Sequence, residues 1–354
     1  MVAGPGAGGI AATDKLVLVG DRDPGDTSDT FRAYDAADGT ILWTLRYLAP
    51  AKLDYGNAPR ATPQIEGDKA YLFGATGQLH CVELASGKVL WQKDLRQQFK
   101  VTDELLWGAC SSPLLVDGLL IVNPGAAEAS LVAFDPTSGQ VTWQTPGDGA
   151  AFSSLIVATL GGKRQIVGYD KTSLGGWEIA TGKRLWRLVP PNKNDFNVPT
   201  PIVWDDALIV STENNGTRLY RFQPDGSIIP EPAALQDELA PDSHTPVVLG
   251  DRLFGVWEKL FCLDARHGLK TLWSSDDLAF QNYATVVASP NRVLVLTQEG
   301  ELVLLNPLAE EFAPLSRLKL FKDDSGVYAH PAFVGHRMYL RNTDAIYCLD
   351  LDSK

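Results

Sequence analysis

One phrase recurs along this chain of 354 residues. An apolar run leads into a small polar turn with glycine, and a second run ends at tryptophan. It stands as YDAADGTILWT at 34–44, LASGKVLWQKD at 84–94, FDPTSGQVTWQ at 134–144 and WEIATGKRLWR at 177–187. A catalytic motif normally occurs once per active site, so a phrase spread over the whole chain is architecture. Anchored on Trp43, Trp91, Trp143, Trp186 and Trp273, the successive spacings are 48, 52, 43 and 87 residues, the last about twice the shortest. The copy missing from that interval is LYRFQPDGSII (219–229), where Gly226 keeps the turn and Ile229 replaces the tryptophan. Two further copies have decayed: 302–318 loses the glycine, and 346–353 stops at the end of the sequence.

A second unit precedes each phrase. ATPQIEGDKAYLFG (61–74), PTPIVWDDALIVST (199–212), HTPVVLGDRLFGVW (244–257) and AHPAFVGHRMYLRN (329–342) align without gaps, and four looser copies, at 8–20, 111–123, 153–169 and 284–297, belong with them. Each is a short apolar run, a tight turn and an alternating strand. The 32 glycines and 22 prolines suit a chain with so many turns. Four short strands repeating every 40–50 or so residues are the signature of a propeller blade. The expectation is an all-β, eight-bladed β-propeller of four-stranded antiparallel blades forming one domain over 1–354, with seven blades as the alternative. Blade 8 ends at its third strand. Its outer strand would have to come from Met1–Ala7, which is Gly/Pro-rich and too short, or from residues outside this sequence.

Composition excludes several classes. A net charge of −12 with no basic run argues against nucleic acid, which needs clustered Lys and Arg. No apolar stretch approaches the roughly 20 residues of a membrane helix. Residues 1–13 lack the charged and apolar regions of a signal peptide. Gly4–Gly9 formally spells GxGxxG but has no strand before it and no helix after it. Cys81, Cys110, Cys262 and Cys348 form no CxxC, and three of them occupy equivalent phrases where other copies have alanine. They are expected to be small buried core residues rather than disulfide partners.

The phrases Ala33-x-Asp35-x3-Gly39-x3-Trp43 and Ala133-x-Asp135-x3-Gly139-x3-Trp143 resemble the AxDxxxGxxxW docking motif of the PQQ-like, quinoprotein-type β-propellers. Glu83 and Glu178 stand in for the acid in two copies, and Asp264-x3-Gly268 has one extra residue before Trp273. The resemblance implies that Trp43, Trp91, Trp143, Trp186 and Trp273 dock neighbouring blades and that Asp and Gly shape the turn. Two branches are similar. The quinoprotein dehydrogenases are longer, and many hold the quinone against a vicinal Cys-Cys disulfide with calcium; no Cys-Cys occurs here. The non-catalytic, BamB-like branch matches in length and blade number and acts through loops, and this chain is nearest to it. That branch implies a periplasmic or exported protein whose leader is not in this sequence, with the cytoplasm as the alternative.

In an antiparallel blade, the links from one blade's fourth strand to the next blade's first strand leave the same end as the second-to-third-strand loops. In a propeller that end surrounds the channel mouth, the usual ligand position. There stand Arg60, Trp107, Phe152, Asn197, Asp242, His244, Tyr283, Tyr328 and His330, with Trp257 and the run Glu213-Asn214-Asn215 from other loops. Aromatic, amide, guanidinium and imidazole groups suit a protein partner or a small-molecule or saccharide ligand. The competing reading has His244 and His330 capping first strands and Asn214-Asn215-Gly216 as a hairpin turn. Asp21, Asp23, Asp26 and Asp29 crowd one loop and offer hard-oxygen ligands for calcium, although the spacing is not that of an EF-hand. No catalytic residue is assigned, since neither GxSxG nor HExxH occurs. The expected function is a non-catalytic binding or assembly module, monomeric and without cofactor; PQQ and calcium are the cofactor alternatives. The rival functions are a degenerate quinoprotein dehydrogenase or carbohydrate-active enzyme, and a sensor or adaptor domain of a larger membrane-linked protein.

Overall fold

The computed structural model describes residues 1, 6–55, 58–104, 106–321 and 326–352. Within them, eight antiparallel sheets follow one another, each built from strands consecutive in the chain; seven have four strands and one has three. The protein is an eight-bladed β-propeller, and the seven-blade alternative falls. The chain divides into two compact units. Residues 1–150 and 328–354 carry blades 1, 2, 3 and 8; residues 151–327 carry blades 4 to 7.

Burial falls across each sheet, and the sequence pattern follows it. In blade 1 the second strand, Leu16–Arg22, is buried throughout, so both faces are covered and the apolar run is nearly continuous. The fourth strand, Ile41–Leu48, has only Trp43 buried. A strand with one covered face needs a single large anchor, which the motif tryptophan supplies.

Pairing explains the rest of the motif. Ala33, Cys81, Ala133, Gly176 and Cys262 lie directly opposite Trp43, Trp91, Trp143, Trp186 and Trp273. The register shifts by one residue immediately after each of these small residues, a β-bulge that turns the strand toward its acidic turn. Asp135 Oδ1 accepts the N–H groups of Thr137 (3.0 Å) and Ser138 (2.7 Å). The Ser138 amide and hydroxyl hold this carboxyl below its usual range. Gly139 supplies a φ of +68°.

In the first unit the docking partner is a carbonyl one residue beyond the next blade's motif acid. Trp43 Nε1 donates to Leu84 O at 2.9 Å, and Trp91 Nε1 to Pro136 O at 3.0 Å. The turn glycine has a second duty here. A Cβ on Gly87 would stand 2.5 Å from Trp43 Cδ2, and one on Gly139 would stand 2.8 Å from Trp91 Cδ2. Blade 8 has no motif tryptophan, and Arg337 Nη1 uses the equivalent carbonyl of blade 1, Ala36 O, at 2.9 Å. Met1 sits beside the third strand of blade 8: its N–H donates to Ile346 O at 3.1 Å, and its carbonyl accepts Ile346 N–H at 2.9 Å. Residues 2–5, in the segment read as too short to supply the outer strand, lie outside the described residues, as does part of the GxGxxG match. Among the described residues blade 8 has three strands, which is why Cys348, expected in the core, is exposed there. Cys81 and Cys262 are buried as expected.

In the second unit Trp273 Nε1 donates to Ala309 O at 3.0 Å, three residues beyond Asn306 rather than one, and two further blades depart from the pattern. Trp186 Nε1 reaches only Gln165 Oε1, in its own blade, at 2.6 Å; Gln165 Nε2 then donates to Gly226 O of blade 5 at 3.1 Å. The docking is therefore relayed through a buried amide. Blade 5, without its motif tryptophan, uses Trp204 at the end of its first strand. Trp204 Nε1 donates to Gly250 O of blade 6 at 2.9 Å, and the Arg221 and Arg266 guanidinium carbons lie 5.3 and 5.9 Å from its ring centroid. The fourth strand of this blade is Ala234–Gln236, later than the 219–229 phrase suggests; only an isolated Phe222↔Ile228 bridge forms within it. Pro230 and Pro232 lack N–H donors and delay regular pairing.

Candidate functional site

The antiparallel order sends second-to-third-strand loops and blade-to-blade links to one end of every blade.

In the first unit, Arg60 and Trp107 come together. The Arg60 guanidinium carbon lies 5.6 Å from the Trp107 ring centroid, and its Nη2 donates to Asp54 O at 3.3 Å. Asp54 N–H donates to Leu106 O at 2.8 Å, so the link after blade 1 is tied to the link after blade 2. Ala109 N–H donates to Ala75 O at 2.8 Å and seats the second link on the blade 2 hairpin. Gly108, at φ +74°, permits that approach, since a Cβ there would stand 2.7 Å from Ala75 O. Tyr55 is 81% exposed and Leu106 52% exposed beside this stack. Tyr328 and His330, also in this unit, are exposed in the link before blade 8. Residues 56–57, 105 and 322–325, which belong to these links, lie outside the described residues.

The four aspartates of the 20–29 loop are not brought to one point. Asp21 pairs with Arg32, and Asp23 accepts amides of its own loop, from Gly25 (2.9 Å) and Thr27 (3.1 Å). Asp26 and Asp29 both bind the fully buried Arg22, at 2.9 and 2.5 Å. Asp29 Oδ2 also accepts Ala75 N–H at 2.8 Å, joining blade 1 to blade 2. Burial pushes the Asp29 carboxyl up, while the Ala75 amide and Arg22 pull it down. No three described His, Cys, Asp or Glu residues are grouped to hold a metal ion, and all four cysteines are free thiols on separate segments. These residues do not fit a quinone held by a vicinal disulfide and calcium.

In the second unit His244 acts as a strand cap. Its Nε2 accepts Ala284 N–H, the start of blade 7, at 2.7 Å, and its ring lies 5.1 Å from that of Tyr283. An accepting Nε2 means a neutral imidazole. Asn197 is buried at φ +54°; its Nδ2 donates to Lys171 O at 3.3 Å, and its carbonyl accepts Ser153 N–H at 2.8 Å. Phe152 and Asp242 are partly buried. Trp257 closes its own hairpin, donating its N–H to Lys259 O at 2.9 Å. The Glu213-Asn214-Asn215 run is more than a turn. Asn215 Nδ2 and Asn214 N–H donate to Asp195 at 2.6 and 2.9 Å, and Glu213 Oε1 accepts Phe196 N–H at 2.5 Å, so hairpin and link are locked together.

A feature absent from the sequence reading is a hydroxyl at the start of first strands. Thr62 N–H donates to Ser112 Oγ (3.0 Å), Ser154 N–H to Thr200 Oγ1 (3.3 Å) and Thr200 N–H to Thr245 Oγ1 (3.0 Å). These bonds join successive blades near the candidate residues. The signal was present as a hydroxyl before proline in Thr62-Pro63, Ser112-Pro113, Thr200-Pro201 and Thr245-Pro246.

Motif, bulge and docking carbonyl together define a propeller of the PQQ-like class. The chain belongs to the family described as outer membrane protein assembly factor BamB, whose model matches residues 27–275. It is 28% identical over 145 residues to BamB of Yersinia pestis, covering 41% of this chain and 34% of that protein. Against BamB of Burkholderia pseudomallei (strain K96243) the identity is 28% over 207 residues, 56% of this chain and 51% of the relative. The matched stretches thus span a third to a half of these curated relatives. The crystal structure of BamB from Moraxella catarrhalis superimposes with a TM-score of 0.65 at 16% identity, over 96% of this chain and 92% of that one. At that identity the likeness speaks for the fold.

Proposed function

We propose that this propeller is a non-catalytic assembly module that binds a protein partner through the loop face of its first unit. It would act in the periplasm; the name shared by its relatives, outer membrane protein assembly factor, supports a role in building that membrane. The observation that carries the reading is the Arg60–Trp107 stack flanked by exposed Tyr55 and Leu106. Tyr, Trp and Arg dominate interface energetics, and here they are held by bonds between two links. Burial pushes the thiols of Cys81 and Cys262 up to about 11 and about 12, far from the reactive range.

The test is complementation. Deleting the gene in its host should weaken the outer-membrane permeability barrier; wild type should restore it, whereas folded Trp107→Ala and Arg60→Ala should not. Full rescue by both variants would move the binding face elsewhere, and a deletion without envelope phenotype would defeat the assembly reading. The quinoprotein rival is tested by absorbance titration with PQQ and calcium, where tight binding abolished by Trp107→Ala would favour an enzyme.

A further inference from the structure

In the first unit an open groove of about 490 Å³ lies between the segment that follows blade 2 and the outer strand of blade 3. Register and packing place its walls. Val141 and Gln144 of the outer strand stand opposite Phe134 and Val132, so these four side chains share one face of the sheet. On that face Phe99, in the short helix Leu95–Phe99 after blade 2, meets Phe134 edge-on with ring centroids 6.3 Å apart. Phe99, Ala127 and Val141 supply apolar lining. Local bonds fix the walls. Asp94 caps the helix by accepting Gln97 N–H at 2.9 Å, and Gln144 Nε2 donates to Glu128 O at 3.1 Å.

The surroundings say what fits. The outer strand, Val141–Thr145, is the edge of its sheet: it pairs with Leu131–Phe134 and, among the described residues, has no strand on its other side. An open edge recognises extended backbone, and alternate side chains of an added strand turn toward the same face. The groove is large enough to seat a bulky side chain from such a strand. Lys100 and Glu128 both line it and are exposed. Their opposite charges balance, so recognition falls to backbone and apolar contact rather than to an anionic or cationic group. The groove is also continuous with the loop face assigned above, because the link that begins at Lys100 carries Leu106 and Trp107.

We propose that this groove takes an extended segment of the protein partner, added as a strand to the edge of blade 3, with a leucine- or phenylalanine-sized side chain seated against Phe99 and Val141. The proposal rests on the protein-binding reading above and adds how the partner is held. Its test is methyl NMR of the intact chain, labelled at alanine and valine and titrated with acetyl-Thr-Thr-Leu-Thr-Thr-amide. The signals of Ala127, Ala129 and Val141 should shift. Replacing the peptide leucine by alanine should weaken binding about tenfold. Successive N–H groups of an added strand point to opposite sides. N-methylation at the leucine and at the following threonine should therefore differ, one weakening binding about tenfold and the other changing little. Ala127→Trp, which fills the groove, and Val141→Glu, which places a charge in it, should each abolish binding, and either serves if the other fails to fold. The titration needs no envelope phenotype, so failure of the groove and failure of the assembly reading are distinguished. No shift at these methyls, equal affinity of the leucine and alanine peptides, equal effects of the two N-methyl groups, or unchanged binding by a folded variant would overturn the proposal.

Discussion

Gly67 and Gly87 both lie in blade 2 and both have left-handed φ, +58° and +69°. A Cβ added to Gly67 meets nothing within 4 Å. A Cβ on Gly87 would lie 2.5, 2.7 and 2.8 Å from Trp43 Cδ2, Cε3 and Cγ. Gly67→Ala should therefore cost only the left-handed strain, about 1 kcal/mol once the stiffer unfolded chain is allowed for. Gly87→Ala carries the same strain and must also displace the Trp43 ring, breaking its 2.9 Å bond to Leu84 O. Overpacking and the lost buried hydrogen bond together add about 2–4 kcal/mol. Urea unfolding followed by far-UV circular dichroism measures both. A Trp43→Leu background should reduce the Gly87→Ala cost to that of Gly67→Ala, because the obstructing ring is gone. If the two alanine variants differ by less than about 0.5 kcal/mol, the glycine serves the turn alone and the docking account is wrong.

Trp204→Phe should cost about 1–3 kcal/mol in the same assay, since the Gly250 carbonyl loses its donor; a neutral result would remove Trp204 from the docking set. His80 is buried, and desolvation pushes its pKa down from 6.5 to about 4. The folded state therefore resists protonation. Its contribution is complete above pH 6.5 and is lost as pH falls toward 4, on the order of 3 kcal/mol. His80→Gln should flatten that part of a stability–pH curve, and an unchanged curve would refute the assignment. Native protein should show one fast thiol toward an aromatic disulfide reagent, exposed Cys348, with the remaining three appearing after denaturation. Rapid reaction of Cys81 or Cys262 would contradict their burial.

Much of the fold was legible because each blade is specified locally. Alternation along a strand, the acidic turn, the positive-φ glycine and the single tryptophan of a half-covered strand all act within about fifteen residues. Eight repetitions multiply the signal. Even one loss was visible, since Ile229 marks the blade without its tryptophan. Tertiary structure decided what the losses are replaced by. Trp204 docks blade 5, Gln165 relays for Trp186, and Arg337 uses Ala36 O, each through a contact with a carbonyl that no local pattern announces. The same holds for the candidate sites. His244 became a cap, and the four loop aspartates were distributed among separate partners. Glu213, a candidate from the loops, accepts the Phe196 amide and ties its hairpin to the neighbouring link. Sequence determined each blade through hydrogen bonds and packing between near neighbours. Which polar atoms were paired, and with what, depended on groups brought together from distant parts of the chain.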